Sequence, residues 1–216
     1  MCKYEFHNRK YGNFNERPVE MAFVFKNLAR FYPKSILDVG TGISPLPRMM
    51  SDGGHHVTAI DNIKDYWSSG FFNPHYYIID DDITDTKITE TFDFITCISV
   101  LEHIENYKKA VGNMFKLLKP GGHLILTFPY TEKKYVENVY KLPGSKYGQD
   151  FQFTCQSYSR AELDSWIHGN GTIIEQEYWQ FWTGDTWTIG DQIIPPVKVN
   201  LTDNHQISCL LIEKSK

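Results

Sequence analysis

The chain has 216 residues, of which 15% are aromatic, and a formal net charge of −4. This length is sufficient to bury one sizeable core, so we expect a single domain over residues 1–216. The sequence contains no basic run of the kind that binds a phosphate backbone, and we therefore expect no nucleic-acid partner.

The cysteines and the apolar pattern indicate a reducing compartment. Cys2, Cys97, Cys155 and Cys209 lie far apart and form no C-x-x-C pair, which favours reduced thiols over a disulfide framework or a zinc site. The N-terminal stretch "MCKYEFHNRKYGNFNERP" is polar, unlike a signal peptide, and no apolar run approaches the roughly 20 residues that span a membrane. We predict a cytoplasmic protein with no metal and no membrane partner, and leave its oligomeric state open.

The first half of the chain alternates helices and strands. Apolar residues at helical spacing from Pro18 to Tyr32 predict an amphipathic helix, and residues 1–34 are expected to form a helical lead-in over the site. "SILDV" predicts the first strand, and a helix over about 46–52 follows and ends at Gly53-Gly54. The segments "HVTAI", which ends at Asp61, "YYII" and "FDFITCI" predict the next three strands.

The second half continues this alternation. A helix over 107–118 stops at "KPGG", and "HLILTF" follows as the fifth strand. Ser159 and Glu162 form a capping-box pattern at the start of the helix "SRAELDSWI", and "TIIEQEYW" and "QISCLLIE" are strands. The segments 130–158 and 179–205 are predicted as loops over the carboxyl edge of the sheet. The order predicts an α/β fold with a mostly parallel sheet and helices on both faces.

The glycine loop "ILDVGTGISPLP" raises the question of which cofactor it binds. Its two glycines follow an acid-tipped strand and let a ligand approach the backbone, and Asp61 can accept hydrogen bonds from ribose hydroxyls. Nicotinamide dinucleotides and S-adenosylmethionine (SAM) share this layout. Pro45 and Pro47 remove N–H donors from the first helical turn, where a pyrophosphate would bind, although Ser44 as N-cap followed by Pro45 is also a sound helix start. The loop therefore favours SAM.

Several segments, taken in order, resemble the class I SAM-dependent methyltransferases. They are "ILDVGTG", "VTAID", "DDIT", "FDFITCISVLEHI" and "LKPGGHLILTFP". The resemblance runs over about residues 36–129 and continues more loosely to the end of the chain. It implies a Rossmann-like seven-stranded sheet whose last strand is antiparallel. The sequence departs from the family pattern at Ser44, where many members keep a third glycine, and this affects the packing of the loop against its helix.

The resemblance also implies which residues hold the cofactor. Those implied around the methionine part of SAM are Asp38, Gly40, Gly42, Ile98 and Ser99, those at the ribose are Asp61 and Asn62, and those at the adenine are Asp82 and Ile83. We prefer Asp82 to Asp80 and Asp81 because it directly precedes an apolar residue.

The acceptor and the base are less constrained by the sequence. Methyl transfer depends mainly on positioning, and a general base is needed only when the acceptor must lose a proton. His103 in "SVLEHI" is the candidate base, and its alternative role is to cap the following helix. The place of the N/D-P-P-Y/F signature of amino-methylating DNA enzymes reads "CISV", and Cys97 lacks the Pro-Cys context of a cytosine C5 nucleophile. We therefore expect a small-molecule acceptor methylated on oxygen or nitrogen.

Aromatic residues at both ends of the chain are candidates for the acceptor pocket. Tyr11, Trp182 and Trp187 are predicted to line it, and their alternative role is to fill the core. Two other functions stay open at this stage. One is a non-catalytic SAM-binding regulatory protein, and the other is an NAD-dependent oxidoreductase.

Overall fold

The computed structural model describes residues 15–64 and 72–216. In chain order its main elements are α1 (Arg17–Phe31), β1 (Ser35–Val39), α2 (Leu46–Asp52), β2 (His56–Asp61), β3 (Ile79–Asp80), β4 (Phe92–Ile98), α3 (Tyr107–Leu117), β5 (Leu118–Pro129), α4 (Arg160–Ile167), β6 (Gly171–Trp182), β7 (Gln192–Val199) and β8 (Ile207–Lys214). Short 3-10 turns occur at Ile83–Asp85, Leu101–His103 and Val139–Lys141.

The strands form one sheet with the order β3-β2-β1-β4-β5-β8-β6-β7. Strands β1 to β5 pair in parallel, whereas β8 pairs antiparallel with both β5 and β6, and β7 pairs antiparallel with β6. The predicted Rossmann-like α/β class is confirmed. The predicted count of seven strands is wrong, because the sheet has eight and two of them, β7 and β8, run against the rest.

The extra strand explains why the prediction of a loop over 179–205 is partly wrong. Strand β6 continues to Trp182, and β7 carries Pro195 and Pro196 in the sequence "QIIPPVKV". Prolines usually argue against a strand because they lack the N–H donor. They are tolerated here because β7 lies at the edge of the sheet, where fewer ladder hydrogen bonds are needed.

Helices cover both faces of the sheet, as predicted. Neighbouring residues of β1 point to opposite faces: Ile36 belongs to the cluster packed under α1 and α2, and Leu37 to the cluster packed under α3 and α4. Both layers are apolar, so the central strands are buried on both sides and read as continuous apolar runs. The described part of the predicted N-terminal lead-in is α1, which packs Phe23, Val24 and Leu28 on the sheet.

The local helix signals are largely confirmed. Ser159 and Glu162 form the predicted capping box at the start of α4. The start of α2 differs by one residue from the prediction: the N-cap is Pro45 rather than Ser44, although Ser44 Oγ accepts a hydrogen bond from the Leu46 amide at 3.1 Å. The predicted third strand "YYII" is wrong in extent, because only Ile79–Asp80 pairs with β2.

Two further observations concern the described part of the chain. None of its helices is both long and apolar enough to cross a membrane. Cys97, Cys155 and Cys209 are buried and form no disulfide. The single domain over 1–216 stays a prediction.

Candidate functional site

A cavity of about 910 Å³ opens at the carboxyl ends of β1, β2 and β4. This is where open α/β sheets bind their ligands. The predicted site residues that line it are Gly40, Gly42, Asp61, Asn62, Asp82, Ile83, Ser99 and His103. Asp38 and Ile98 do not line it. They line a smaller cavity that shares Gly40 and Thr41 with the larger one.

The loop after β1 requires glycine at two positions. Gly40 has a φ of 72° and Gly42 a φ of 55°, in the left-handed region that favours glycine. A Cβ added at Gly40 would also lie 2.6 Å from Val100 Cγ2. The Gly42 amide donates to Asp61 Oδ2 at 2.6 Å, and Asn73 Nδ2 donates to the Gly42 carbonyl at 2.9 Å. Asn73, which no sequence motif marks, thus holds the loop from a distant segment of the chain.

Asp38 connects this loop to strand β4 through hydrogen bonds. It is buried, and its two carboxylate oxygens accept hydrogen bonds from Thr41 Oγ1 at 2.7 Å and Thr96 Oγ1 at 2.6 Å. Burial raises the pKa of Asp38 to about 6, against the lowering effect of the two hydroxyls. Asp38 thus holds the loop in place and lines the smaller cavity, and its predicted place near the methionine part of SAM stays a prediction.

The cavity is also lined by two aspartates, Asp81 and Asp82, which directly follow β3. Asp82 Oδ1 accepts from the Thr84 amide at 2.8 Å and caps the 3-10 turn in which Ile83 is buried. Asp81 Oδ2 accepts from the Lys87 amide at 2.8 Å, while its Oδ1 is buried without a hydrogen-bond partner among the described residues. Both aspartates line the cavity, so the preference for Asp82 at the adenine stays a prediction.

His103 lines the cavity, and one of its ring nitrogens is hydrogen-bonded to a backbone carbonyl. Its Nδ1 lies 2.6 Å from the Thr154 carbonyl oxygen. Because a carbonyl only accepts, Nδ1 carries the proton and Nε2 presents a lone pair. Burial lowers the pKa of His103, so the ring is neutral at pH 7 and able to accept a proton. Nε2 lies 4.0 Å from Oε1 of Glu102, whose pKa burial raises well above its usual range.

The predicted acceptor wall is not found at this cavity. Trp182 and Trp187 are 5% and 6% exposed and pack in a separate cluster with Tyr140, Cys155 and Phe181. Neither lines the cavity, so the structure favours their alternative role as core residues. Tyr11 lies outside the described residues.

Helix α1 contributes residues that the sequence analysis missed. Arg17 and Met21 line both the large and the small cavity. Arg17 Nη1 donates to the Ile98 carbonyl at 3.0 Å and to Glu20 Oε2 at 3.2 Å. The only local signal was Pro18, which marks the start of a helix but not where that helix lies.

A family model described as a methyltransferase domain matches residues 13–177, more than half of the chain. The chain belongs to this methyltransferase family. The resemblance to class I SAM-dependent methyltransferases is thereby confirmed, and SAM is the cofactor of the enzyme. This assignment favours a methyltransferase over the alternative of an NAD-dependent oxidoreductase. Among the described residues, no group of three His, Cys, Asp or Glu side chains is arranged to hold a metal ion.

The methyltransferase is also similar to individual proteins. It is 28% identical over 137 residues to the ubiquinone biosynthesis O-methyltransferase of Coxiella burnetii, an alignment that covers 60% of this chain and 57% of that one. The chain thus spans little more than half the length of this relative.

Two solved structures share the fold of the methyltransferase at low identity. One is the 1,6-didemethyltoxoflavin-N1-methyltransferase of Burkholderia thailandensis, with a TM-score of 0.61, 15% identity, and coverage of 99% of this chain and 85% of that one. The other is the N-methyltransferase NodS of Bradyrhizobium japonicum, with a TM-score of 0.54, 15% identity, and coverage of 93% and 88%.

Proposed function

We propose that the methyltransferase transfers a methyl group from SAM to an oxygen or nitrogen of a small-molecule acceptor, with His103 as the base. The observation that carries this proposal is the convergence on one cavity of the glycine loop, Asp61 and His103, whose Nδ1 is hydrogen-bonded to a carbonyl so that Nε2 is the unprotonated nitrogen. A cytoplasmic location and the absence of a nucleic-acid substrate belong to the same proposal.

The residues of the cavity fit this cofactor. The absence of a side chain at Gly40 lets the backbone come close, and Asp61 accepts hydrogen bonds from ribose hydroxyls. Ile83 offers an apolar surface for adenine, and Asp82 accepts from its amino group. The guanidinium of Arg17 matches the α-carboxylate of the amino-acid part. SAM bound in this way supplies a methyl group on an already activated, positively charged sulfur.

His103 favours a hydroxyl over an amine as the first acceptor to test. A hydroxyl oxygen must lose its proton as the methyl group is transferred, whereas an amine nitrogen attacks through its lone pair. His103 lines the cavity, and its neutral imidazole has one nitrogen free of a proton, as a base for a hydroxyl requires. The similarity to an O-methyltransferase supports this order. The solved N-methyltransferases share only the fold at this level of identity.

The experiment has a binding part and a transfer part. Calorimetry with SAM, S-adenosylhomocysteine and NAD should show binding of the first two. Transfer of radiolabelled methyl is then measured across a panel of phenols and amines. We expect His103→Gln to lower kcat for a phenol by about 10²-fold or more and to leave the affinity for S-adenosylhomocysteine unchanged. Binding of NAD but not of S-adenosylhomocysteine would overturn the proposal.

The remaining alternative is a non-catalytic SAM-binding regulatory protein. Its expected result is retained binding of S-adenosylhomocysteine with no methyl transfer to any member of the panel. An equal rate for His103→Gln and the unmodified protein would show instead that transfer occurs without this base.

A further inference from the structure

A buried acid, Glu20, joins the first turn of α1 to the site. Its side chain is fully buried, which is unusual for an acid on a helix that covers a sheet. One carboxylate oxygen, Oε1, accepts from Ser99 Oγ and, at 2.6 Å, from Thr127 Oγ1. The other, Oε2, accepts from Arg17 Nη1 at 3.2 Å. The acid therefore binds both the sheet and the cation that faces the cavity.

The two hydroxyl partners lie at the carboxyl ends of the central strands. Ser99 directly follows β4, with a φ of 49°, and its amide donates to Thr127 Oγ1 of β5 at 3.0 Å. Ser99 and Thr127 are therefore held together, and Glu20 binds them as a pair. This fixes the first turn of α1 at the edge of the sheet where the cavity opens.

The contacts of Arg17 fix its guanidinium in one orientation. Nη1 uses its two protons on Glu20 Oε2 and, at 3.0 Å, on the Ile98 carbonyl. Nε and Nη2 have no hydrogen-bond partner within residues 15–64 and 72–216. Arg17 lines both cavities, so the side chain that carries these donors borders the site. Two N–H groups in a planar fork match the two oxygens of a carboxylate.

We propose that Glu20 is a positioning residue that holds Arg17 so that its remaining donors recognise the α-carboxylate of SAM. The contact makes the site selective for adenosyl ligands that carry an amino-acid tail. This inference rests on the proposed function, because it takes SAM as the cofactor. Burial raises the pKa of Glu20 and the charge of Arg17 opposes that effect, so the acid and the cation depend on each other.

The test compares two ligands that differ in the tail. S-adenosylhomocysteine carries the α-carboxylate, and 5′-methylthioadenosine lacks the amino-acid part. Glu20→Gln keeps an oxygen acceptor for the hydroxyls but removes the charge that holds Arg17. We expect calorimetry to show a dissociation constant for S-adenosylhomocysteine raised about 10-fold or more, and one for 5′-methylthioadenosine unchanged within about 2-fold.

A double-mutant cycle separates positioning from a direct role. We expect Arg17→Met to cause the same selective loss, about 10- to 100-fold, and the added Glu20→Gln change to weaken binding little further, because Glu20 acts through Arg17. Lys26→Met is the matched control: Lys26 is another cation of α1, but it binds Glu175 and Glu177 rather than facing the cavity. This control should leave both affinities unchanged.

Every other outcome overturns either the positioning role of Glu20 or the proposed function. Equal weakening of both ligands by Glu20→Gln, no weakening of either, or fully additive losses in the cycle would overturn the positioning role. If Glu20→Gln does not fold, Arg17→Lys replaces it. Lysine keeps the charge but lacks the fork, so it should also weaken S-adenosylhomocysteine selectively, and an equal loss for both ligands overturns the proposal. Failure of the unmodified protein to bind either ligand would refute the proposed function instead.

Discussion

Gly40 is the position where an added methyl group should cause the largest loss at the site. Its φ of 72° is left-handed, and such a conformation costs an alanine about 1–2 kcal/mol. The new Cβ would also lie 2.6 Å from Val100 Cγ2 and 2.9 Å from Val100 Cβ, so the valine or the loop must move. Overpacking of this kind costs about 1–3 kcal/mol. We expect Gly40→Ala to lower the free energy of unfolding by about 2–5 kcal/mol, the sum of both costs.

Gly42 provides a matched control for the steric part. It is also left-handed, with a φ of 55°, but an added Cβ there would meet no heavy atom within 4 Å among residues 15–64 and 72–216, its chain neighbours apart. Gly42→Ala should therefore lower the free energy of unfolding only by the conformational cost of about 1–2 kcal/mol. In the double variant Gly40→Ala with Val100→Ala, the contact with Val100 Cγ2 disappears but the one with Cβ at 2.9 Å stays, so the shortened side chain relieves only part of the clash. The two changes should show a favourable coupling of about 1–3 kcal/mol.

Urea unfolding gives the free energy of unfolding of each variant. Calorimetry measures its affinity for S-adenosylhomocysteine, which depends on the conformation of the loop. We expect weaker binding for Gly40→Ala than for Gly42→Ala, with partial recovery in the double variant. The reasoning is refuted if both glycine variants lose the same free energy, or if the coupling between positions 40 and 100 lies below about 0.5 kcal/mol, the level at which independent changes add.

Three further predictions concern pH and local stability. Because burial lowers the pKa of His103, kcat should stay level through neutral pH and fall only below the usual histidine range, and His103→Gln should remove this limb of the pH–rate profile. Against the effect of burial, hydrogen bonds from Lys119 and Ser35 lower the pKa of Asp93 to about 2. Its stabilising contribution is thus present above the unfolded pKa of about 3.9 and lost as the pH falls toward 2. Asp93→Asn should reduce Tm at pH 7 in thermal scans, and the difference should shrink below pH 4. Ser159→Ala removes half of a capping box and should cost about 1 kcal/mol, or about 2–4 °C in Tm by calorimetry.

Local signals explain what the sequence alone could predict. "SILDV" and "FDFITCI" are confirmed to the residue because buried parallel strands read as unbroken apolar runs between clear boundaries. The glycine loop was predictable for a similar reason, since strand, glycines and helix follow one another directly. The position of Asp61 at the end of the next strand followed from the same parallel order.

Other features depend on contacts between segments that are distant in the chain, and the sequence alone could not predict them. His103 owes its tautomer to Thr154, which lies 51 residues away in the chain. Arg17 and Glu20 reach the site only because α1 packs on the sheet beside β4 and β5, and no local pattern encodes that placement. Trp182 was predicted as an acceptor wall from its type, whereas its burial depends on the cluster that forms around it.

The prolines of β7 limit how copies of this protein can associate. Pro195 and Pro196 carry no N–H donor, and they lie between Gln192 and Val197, where the register of β7 against β6 shifts. The outer side of β7 is the margin of the whole sheet, and an incoming strand would find the ladder interrupted there. Such a gap disfavours ribbon-like growth and amyloid-type stacking at that margin. At the β7 margin, contacts between copies would then form through side chains rather than through a shared backbone ladder.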